Sequence, residues 1–256
     1  VTLLTDLIGR VRSEFLADDA GIVPTDNWWS DANIANALSE AQREIARRCL
    51  LIQDSTTQAV CFLPLVADPI TLLFPQTLPL SSKILRIRFV LFPNFTQTGL
   101  YLLGRTTTEY LNSEHHHHRG GFSYDYDTES CETWIGRTGH VHRYMTDFQS
   151  QSLTFDRVPE YEGTVQVGVI RLPLVDMNLL DPDSAPEIQE RDLALIHGAL
   201  KGLYSKGYAI EDQESFNPIK ESRWRKEFEA DIAMITQDLA AMQPKETVCR
   251  PERGMW

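Results

Sequence analysis

The spacing of apolar residues changes period twice along this chain. From Thr5 to Ala17, Leu7, Ile8, Val11 and Phe15 fall on one helical stripe, and Asp18-Asp19-Ala20-Gly21 stops it. Ser30 then opens a longer amphipathic helix. Its hydroxyl suits an N-cap and Asp31 suits the positive end of the helix dipole. Ile34, Leu38, Ala41, Ile45, Cys49 and Ile52 recur in steps of three and four, which defines the buried face. Glu40, Arg43, Glu44, Arg47 and Arg48 form a charged back with i,i+3 and i,i+4 spacing.

Between Thr56 and Leu174 the period becomes that of strands. Short β-type runs are expected at Ala59 to Leu63 and Ile70 to Phe74, broken by Pro64, Pro69 and Pro75. Further strands are expected at Ile84 to Phe92, Val141 to Met145, Leu153 to Phe155 and Thr164 to Leu172. A hairpin turn is placed at Glu160-Tyr161-Glu162. Residues 112–133 read as a long exposed loop. The helical period returns after Leu174. Pro186 is placed near the first turn of one helix, with Ile196, Ala199, Leu200 and Leu203 on its face. Asn217-Pro218 opens the last, whose face is Trp224, Phe228, Ile232, Ile235, Leu239 and Met242, and Pro244 ends it.

The predicted class is α+β. Helix pairs from residues 1–55 and 176–243 make a four-helix bundle. Residues 56–175 form a large inserted antiparallel β domain, a sandwich or a barrel, and 244–256 is an extended tail.

The wording of three stretches adds to the pattern. A Trp-Ser-Asp start is followed by "ALSEAQREIARR" (residues 37–48). Later come "WIGRTGHVHRYMTD" (134–147) and "SLTFDRVPEYEGTVQVGVIRLPL" (152–174), then an acidic Pro-containing turn and a final helix pair. In that order they resemble the head–tail adaptor (connector) proteins of tailed phages over nearly the whole chain. The resemblance implies a structural virion protein of the neck or tail, assembled in the host cytoplasm. It implies a ring of identical subunits that docks on the portal protein, extends the DNA channel and carries other tail or neck proteins. It also implies that the ring matches the portal at about twelve copies, a closed cyclic assembly. A stopper or tail-tube part is the alternative of the same class. A metal-dependent enzyme built on the histidine run is the alternative of another.

Charge and cysteines narrow these classes. The net charge of −12 over 256 residues speaks against a general nucleic-acid binder, which needs a basic face. It fits a wall past which DNA slides without being gripped. No apolar run approaches the ~20 residues that span a bilayer, so no membrane partner is expected. The first residues lack the basic-then-apolar layout of a secretion signal. Cys49, Cys61, Cys131 and Cys249 are scattered, without zinc-finger spacing, and read as reduced thiols.

Enzyme signatures are missing: there is no GxSxG, GxxxxGK[ST] or GxGxxG. No cofactor is expected. His115, His116, His117 and His118 are the nearest candidate metal ligands, but adjacent loop positions give no fixed three-ligand geometry and no HExxH accompanies them. His140 and His142, two apart on an expected strand, share a side and suit a metal or a pH-sensitive contact.

The charged back of the Ser30 helix (Glu40, Arg43, Glu44, Arg47, Arg48) is the candidate subunit interface. The candidate portal-binding segment is the tail, through Lys245, Arg250, Arg253, Met255 and Trp256. Its charge opposes that of the rest of the chain, and a tryptophan is a common interface anchor.

Overall fold

The computed structural model describes residues 2–16, 29–94, 99–117, 134–206 and 217–242. The chain divides into two compact units, one drawn from Val1–Leu51 and Val175–Trp256, the other being Ile52–Leu174. The described residues form six α-helices and two β-sheets, an α+β fold.

In the helical unit, α1 (Leu4–Arg10) passes into a π-helical turn, Val11–Leu16, rather than running as one α-helix. Leu4, Leu7, Ile8 and Val11 are buried. Helix α2 (Asp31–Cys49) begins where its cap dictates: Ser30 Oγ accepts from Asn33 N at 3.2 Å. It ends at Leu50, whose φ of 54° is left-handed. Ile34, Leu38, Ala41, Ile45 and Cys49 are buried as their spacing requires.

Helix α5 (Asp192–Lys206) packs against α2 and against α6 (Pro218–Met242). It starts six residues after Pro186, because the backbone amide of Glu187 is drawn to Gln42 Oε1 of α2 at 2.8 Å instead of entering a helix. On α6, Trp224, Phe228, Ile232 and Ile235 are buried. Leu239 is half-buried and Met242 is exposed, so the buried stripe stops a turn before the helix does.

Gly198 marks the point where α5 lies closest to both neighbours. A Cβ there would stand 2.8 Å from Ala41 Cβ of α2 and 2.8 Å from Phe228 Cε2 of α6. Neither neighbour has slack, since one is a methyl on its own backbone and the other a fully buried ring. Gly198→Ala is therefore expected to lower the unfolding free energy by about 1–3 kcal/mol through overpacking. That loss is read against the gain of roughly 1 kcal/mol that alanine brings to an open helix position. Urea denaturation followed by helix ellipticity checks it.

The β unit holds two sheets. The first contains β1 (Gln53–Asp54), β2 (Phe62–Leu65), β4 (Ile84–Pro93), β5 (Leu100–Leu102) and β9 (Gly163–Arg171). Strand β9 is its spine, pairing with β4 on one side and with β1 and β2 on the other, all antiparallel. The second sheet runs β3 (Thr77–Pro79), β8 (Ser152–Phe155), β7 (Arg143–Met145), β6 (Gly104–Arg105). Its β6–β7 pair is parallel, so the β unit is mixed rather than purely antiparallel.

Leu63, Leu65, Val90, Phe92, Val165, Val167 and Val169 of the first sheet share one core with Leu78, Tyr144, Leu153 and Phe155 of the second. The sheets do not close on themselves. Strands β5 and β6, three and two residues long, are end strands, which excludes the barrel. At Gly168 the ring of Phe89 lies so close that a Cβ would meet it at 2.2 Å, so the missing side chain is what lets Phe89 cover β9.

Four local expectations are corrected. Gln58–Cys61 is a helical turn, α3, set before β2 by the Asp54 side chain, which accepts from Thr56 N and Thr57 N. Residues 70–74 are not a strand. Asp68 closes a turn there, Ile70, Leu72 and Leu73 face solvent, and only Phe74 packs against the core. Tyr161 does not sit in a hairpin, because β8 and β9 belong to different sheets. The segment crosses between them, with Tyr161 Oη donating to Pro93 O at 2.9 Å. Finally α4 (Thr108–His117) runs into the stretch read as loop, capped by Asp147 Oδ2, which accepts from Thr108 N at 3.0 Å.

Candidate functional site

The charged back of α2 is engaged inside the chain. Arg43 Nε donates to Asp176 Oδ1 at 2.9 Å, and a second guanidinium nitrogen meets the other carboxylate oxygen. Glu44 Oε2 accepts from Lys201 Nζ of α5 at 2.6 Å, and Glu44 Oε1 lies 3.4 Å from Arg48. Arg48 reaches Glu229 of α6 with two bonds of 2.7 and 2.6 Å. The Lys201 ammonium also sits 4.4 Å from the centre of the Phe228 ring.

These charges run across α2, α5 and α6 in one network over a buried aromatic. The hydrogen bond from Arg48 is the main reason the Glu229 carboxyl lies below its ordinary range. The pairs are half-exposed, so each adds no more than about 1 kcal/mol. Their contribution is to register the three helices. Of the five residues assigned to a subunit interface, Arg43, Glu44 and Arg48 are thus paired within one copy. Glu40 and Arg47 are exposed on the same helix.

Two buried polar residues on α2, Ser39 and Gln42, hold the segment that leads to α5. Met177 N donates to Ser39 Oγ at 3.1 Å and Glu187 N to Gln42 Oε1 at 2.8 Å. Leu4 N donates to Ser184 O at 2.8 Å, and Asn178 N to Ser184 Oγ at 2.9 Å. With Arg43–Asp176, these bonds fix residues 176–187 as a rigid projection whose tip, Leu179-Leu180, is exposed. In the sequence, Ser39 and Gln42 flank the apolar positions Leu38 and Ala41, the one sign that they face inward.

His197 was not singled out by any motif. Its Nδ1 lies 2.8 Å from Asp231 Oδ2, its ring stacks on Trp224, and Phe15 meets both rings edge-on. This group borders a pocket of about 300 Å³ that Lys220, Arg223 and Glu227 also line. The pair ties α5 to α6 across an aromatic contact.

In the β unit His140 and His142 precede β7 rather than lying on it, yet they share a side. The His140 ring stacks on Tyr101 at 5.0 Å and meets the His142 ring edge-on at 4.9 Å. Among the described residues no group of three or more His, Cys, Asp or Glu is arranged to hold a metal ion. His115 to His117 end α4. His118 lies outside the described residues, as do Cys131, Cys249 and the tail Lys245 to Trp256. Cys49 and Cys61 are free and buried, and burial above all pushes the Cys61 thiol up to about 11.

What the described surface offers is contact area: two ordered projections with aliphatic tips, the second being Val66–Leu73 in the β unit, and a charged ridge between helices. The family model described as SU10 adaptor protein matches residues 2–248. The chain belongs to the SU10 adaptor family. As an SU10 adaptor it is a phage head–tail adaptor protein, a structural virion component that associates with other head or tail proteins. No curated protein matches the chain. An adaptor's work is done by surfaces, and no helix among its described residues is long and apolar enough to cross a membrane.

Proposed function

We propose that this adaptor forms a closed ring under the portal of a tailed phage, extends the DNA channel and presents a platform to the next tail component. The observation that carries this reading is the family match over residues 2–248. Residues 1–55 with 176–243 are the ring-forming helical core, and residues 56–175 are a contact domain. The α2 ridge of Glu40, Arg43, Glu44, Arg47 and Arg48 meets a neighbouring copy. Arg43, Glu44 and Arg48 hold the ridge in shape, through Asp176, Lys201 and Glu229. Lys245, Arg250, Arg253, Met255 and Trp256 dock on the portal. DNA passes without being held, because a net charge of −12 repels phosphate.

The test mixes the purified chain with portal-bearing heads that lack tails, viewed by negative-stain microscopy. A collar of added density at the portal vertex is expected. Heads that stay bare at saturating adaptor, while native neck extract decorates them, would sink the reading.

A further inference from the structure

Residues Val66–Leu73 connect β2 to β3 as a closed, uncovered tip. Asp68 Oδ1 accepts from Ile70 N at 2.7 Å and Thr71 N at 3.0 Å. Leu72 N donates to Asp68 O at 2.8 Å, and Asp68 N to Leu73 O at 2.9 Å. Pro69 fixes its own φ. The aliphatic side chains face water: Ile70 is 89% exposed and Leu72 76%, with Val66 and Leu73 exposed beside them. A tip already ordered by its own hydrogen bonds loses little freedom when it docks, so most of the gain from burying those side chains survives as affinity.

Charge selects the partner. Asp68 is the only charged residue between Asp54 and Lys83, in a chain whose net charge is −12. Its carboxylate is occupied by the loop's own amides, which hold it below the ordinary range. Copies of an acidic chain repel one another wherever their charged surfaces approach. A tip whose single carboxylate is turned onto its own amides is where two copies touch with the least repulsion.

A matching surface lies on the same unit. Leu91 pairs with Leu102, and Pro93 with Leu100, across the end strand β5. Cross-strand partners share a face. So Leu91, Leu100 and Leu102 form an uncharged strip opposite the side that buries Phe92, and Leu100 and Leu102 are exposed.

We propose that the Val66–Leu73 tip of one copy seats on the Leu91/Leu100/Leu102 strip of a second copy. Tip and strip are different patches, so the contact is heterologous and repeats head to tail, the type that a closed ring requires. This rests on the ring reading above and names the contact that the β unit contributes to it.

The test places a photo-cross-linker at the tip, Ile70→benzoylphenylalanine. Light is applied to the concentrated purified chain and, separately, to chain bound to portal-bearing heads. The expected product is a covalent pair of copies whose linked peptide lies within residues 84–105 of the second copy. Ile70→Asp and Leu102→Asp should each lower the yield of that pair by roughly tenfold or more, as loss of a central contact does. Their circular dichroism should be unchanged, since both side chains are solvent-exposed. A linkage to a different virion protein, or to another region of the second copy, overturns the contact. So does no linkage on heads that carry the chain. A chain that fails to join heads overturns the ring reading instead, and the purified sample then decides the tip contact independently.

Discussion

Arg171→Met should lower the unfolding free energy of the β unit by about 3–5 kcal/mol, the cost of leaving one partner of a buried ion pair uncompensated. Arg171 Nε donates to Asp54 Oδ2 at 2.6 Å, and the two side chains are 9% and 5% exposed. The other oxygen, Asp54 Oδ1, accepts from Thr56 N at 2.9 Å and Thr57 N at 3.0 Å. Without Arg171 the carboxylate keeps those bonds but loses its counter-charge. The damage should be local to β1, α3 and β9, so amide hydrogen exchange read peptide by peptide is the suitable measurement. Faster exchange in residues 53–65 and 163–171, with helices α2, α5 and α6 unaffected, is the expected pattern. Asp54→Leu combined with Arg171→Met should recover most of the loss, because an apolar pair leaves no orphaned charge. Equal protection in wild type and Arg171→Met would contradict the assignment.

The same pair sets a pH dependence. Burial works against ionisation of Asp54, but hydrogen bonds from Thr57, Thr56 and Arg171 together outweigh it and hold the carboxyl well below its ordinary 3.8. A carboxyl depressed in the fold stabilises fully above its unfolded value, and that stability is lost as pH falls through the folded one. Wild type and Arg171→Met should therefore differ most near neutrality and converge in strong acid.

How far the sequence carried this fold depends on what its signals report. Periodicity reports which face of an element is buried once the element exists. So α2, with Ser30 at its cap, and α6, with Trp224, Phe228, Ile232 and Ile235, read correctly. The alternation Val165, Val167, Val169 found the spine of the first sheet. Periodicity says nothing of whether an apolar run is buried at all. Ile70 to Phe74 has the composition of a strand, yet Ile70, Leu72 and Leu73 face water because Asp68-Pro69 turns the chain first, and that dipeptide was the available sign.

Contacts between distant residues leave no local trace. Asp54 and Arg171 are 117 positions apart. Gln42 takes the Glu187 amide and so delays α5 to Asp192. Gly198 reads as a mildly poor helix residue until Ala41 and Phe228 are seen on either side of it. For the interaction surface, the charge pattern located the ridge on α2. Its partners Asp176, Lys201 and Glu229 came only with the fold.

Truncation after Gln243 should leave the chain folded and its melting nearly unchanged, while weakening attachment to portal-bearing heads by roughly thirtyfold or more. Helix α6 ends at Met242, and the Trp224, Phe228, Ile232 and Ile235 stripe that packs it lies well before the cut. Pro244 cannot extend the helix, since it lacks the amide that an interior turn needs. The removed segment, Lys245 to Trp256, lies outside the described residues. Lys245, Arg250 and Arg253 outnumber Glu246 and Glu252 in a chain that is otherwise acidic, so the segment is drawn to an acidic partner. A segment this polar has too little apolar content for a core of its own. If it orders on binding it loses chain entropy then, and it needs a buried anchor to offset that loss. Met255 and Trp256 supply the aliphatic and aromatic surface such an anchor requires. Trp256→Ala alone should account for most of the lost affinity, whereas Lys245→Ala should mainly slow association and reduce its salt dependence. The measurement is co-sedimentation of adaptor with heads across a salt series, beside the yield of tailed particles. Truncated chain that still joins heads and supports tails at normal yield would mean that the portal contact lies elsewhere, and the exposed Leu179-Leu180 projection would be the next surface to test.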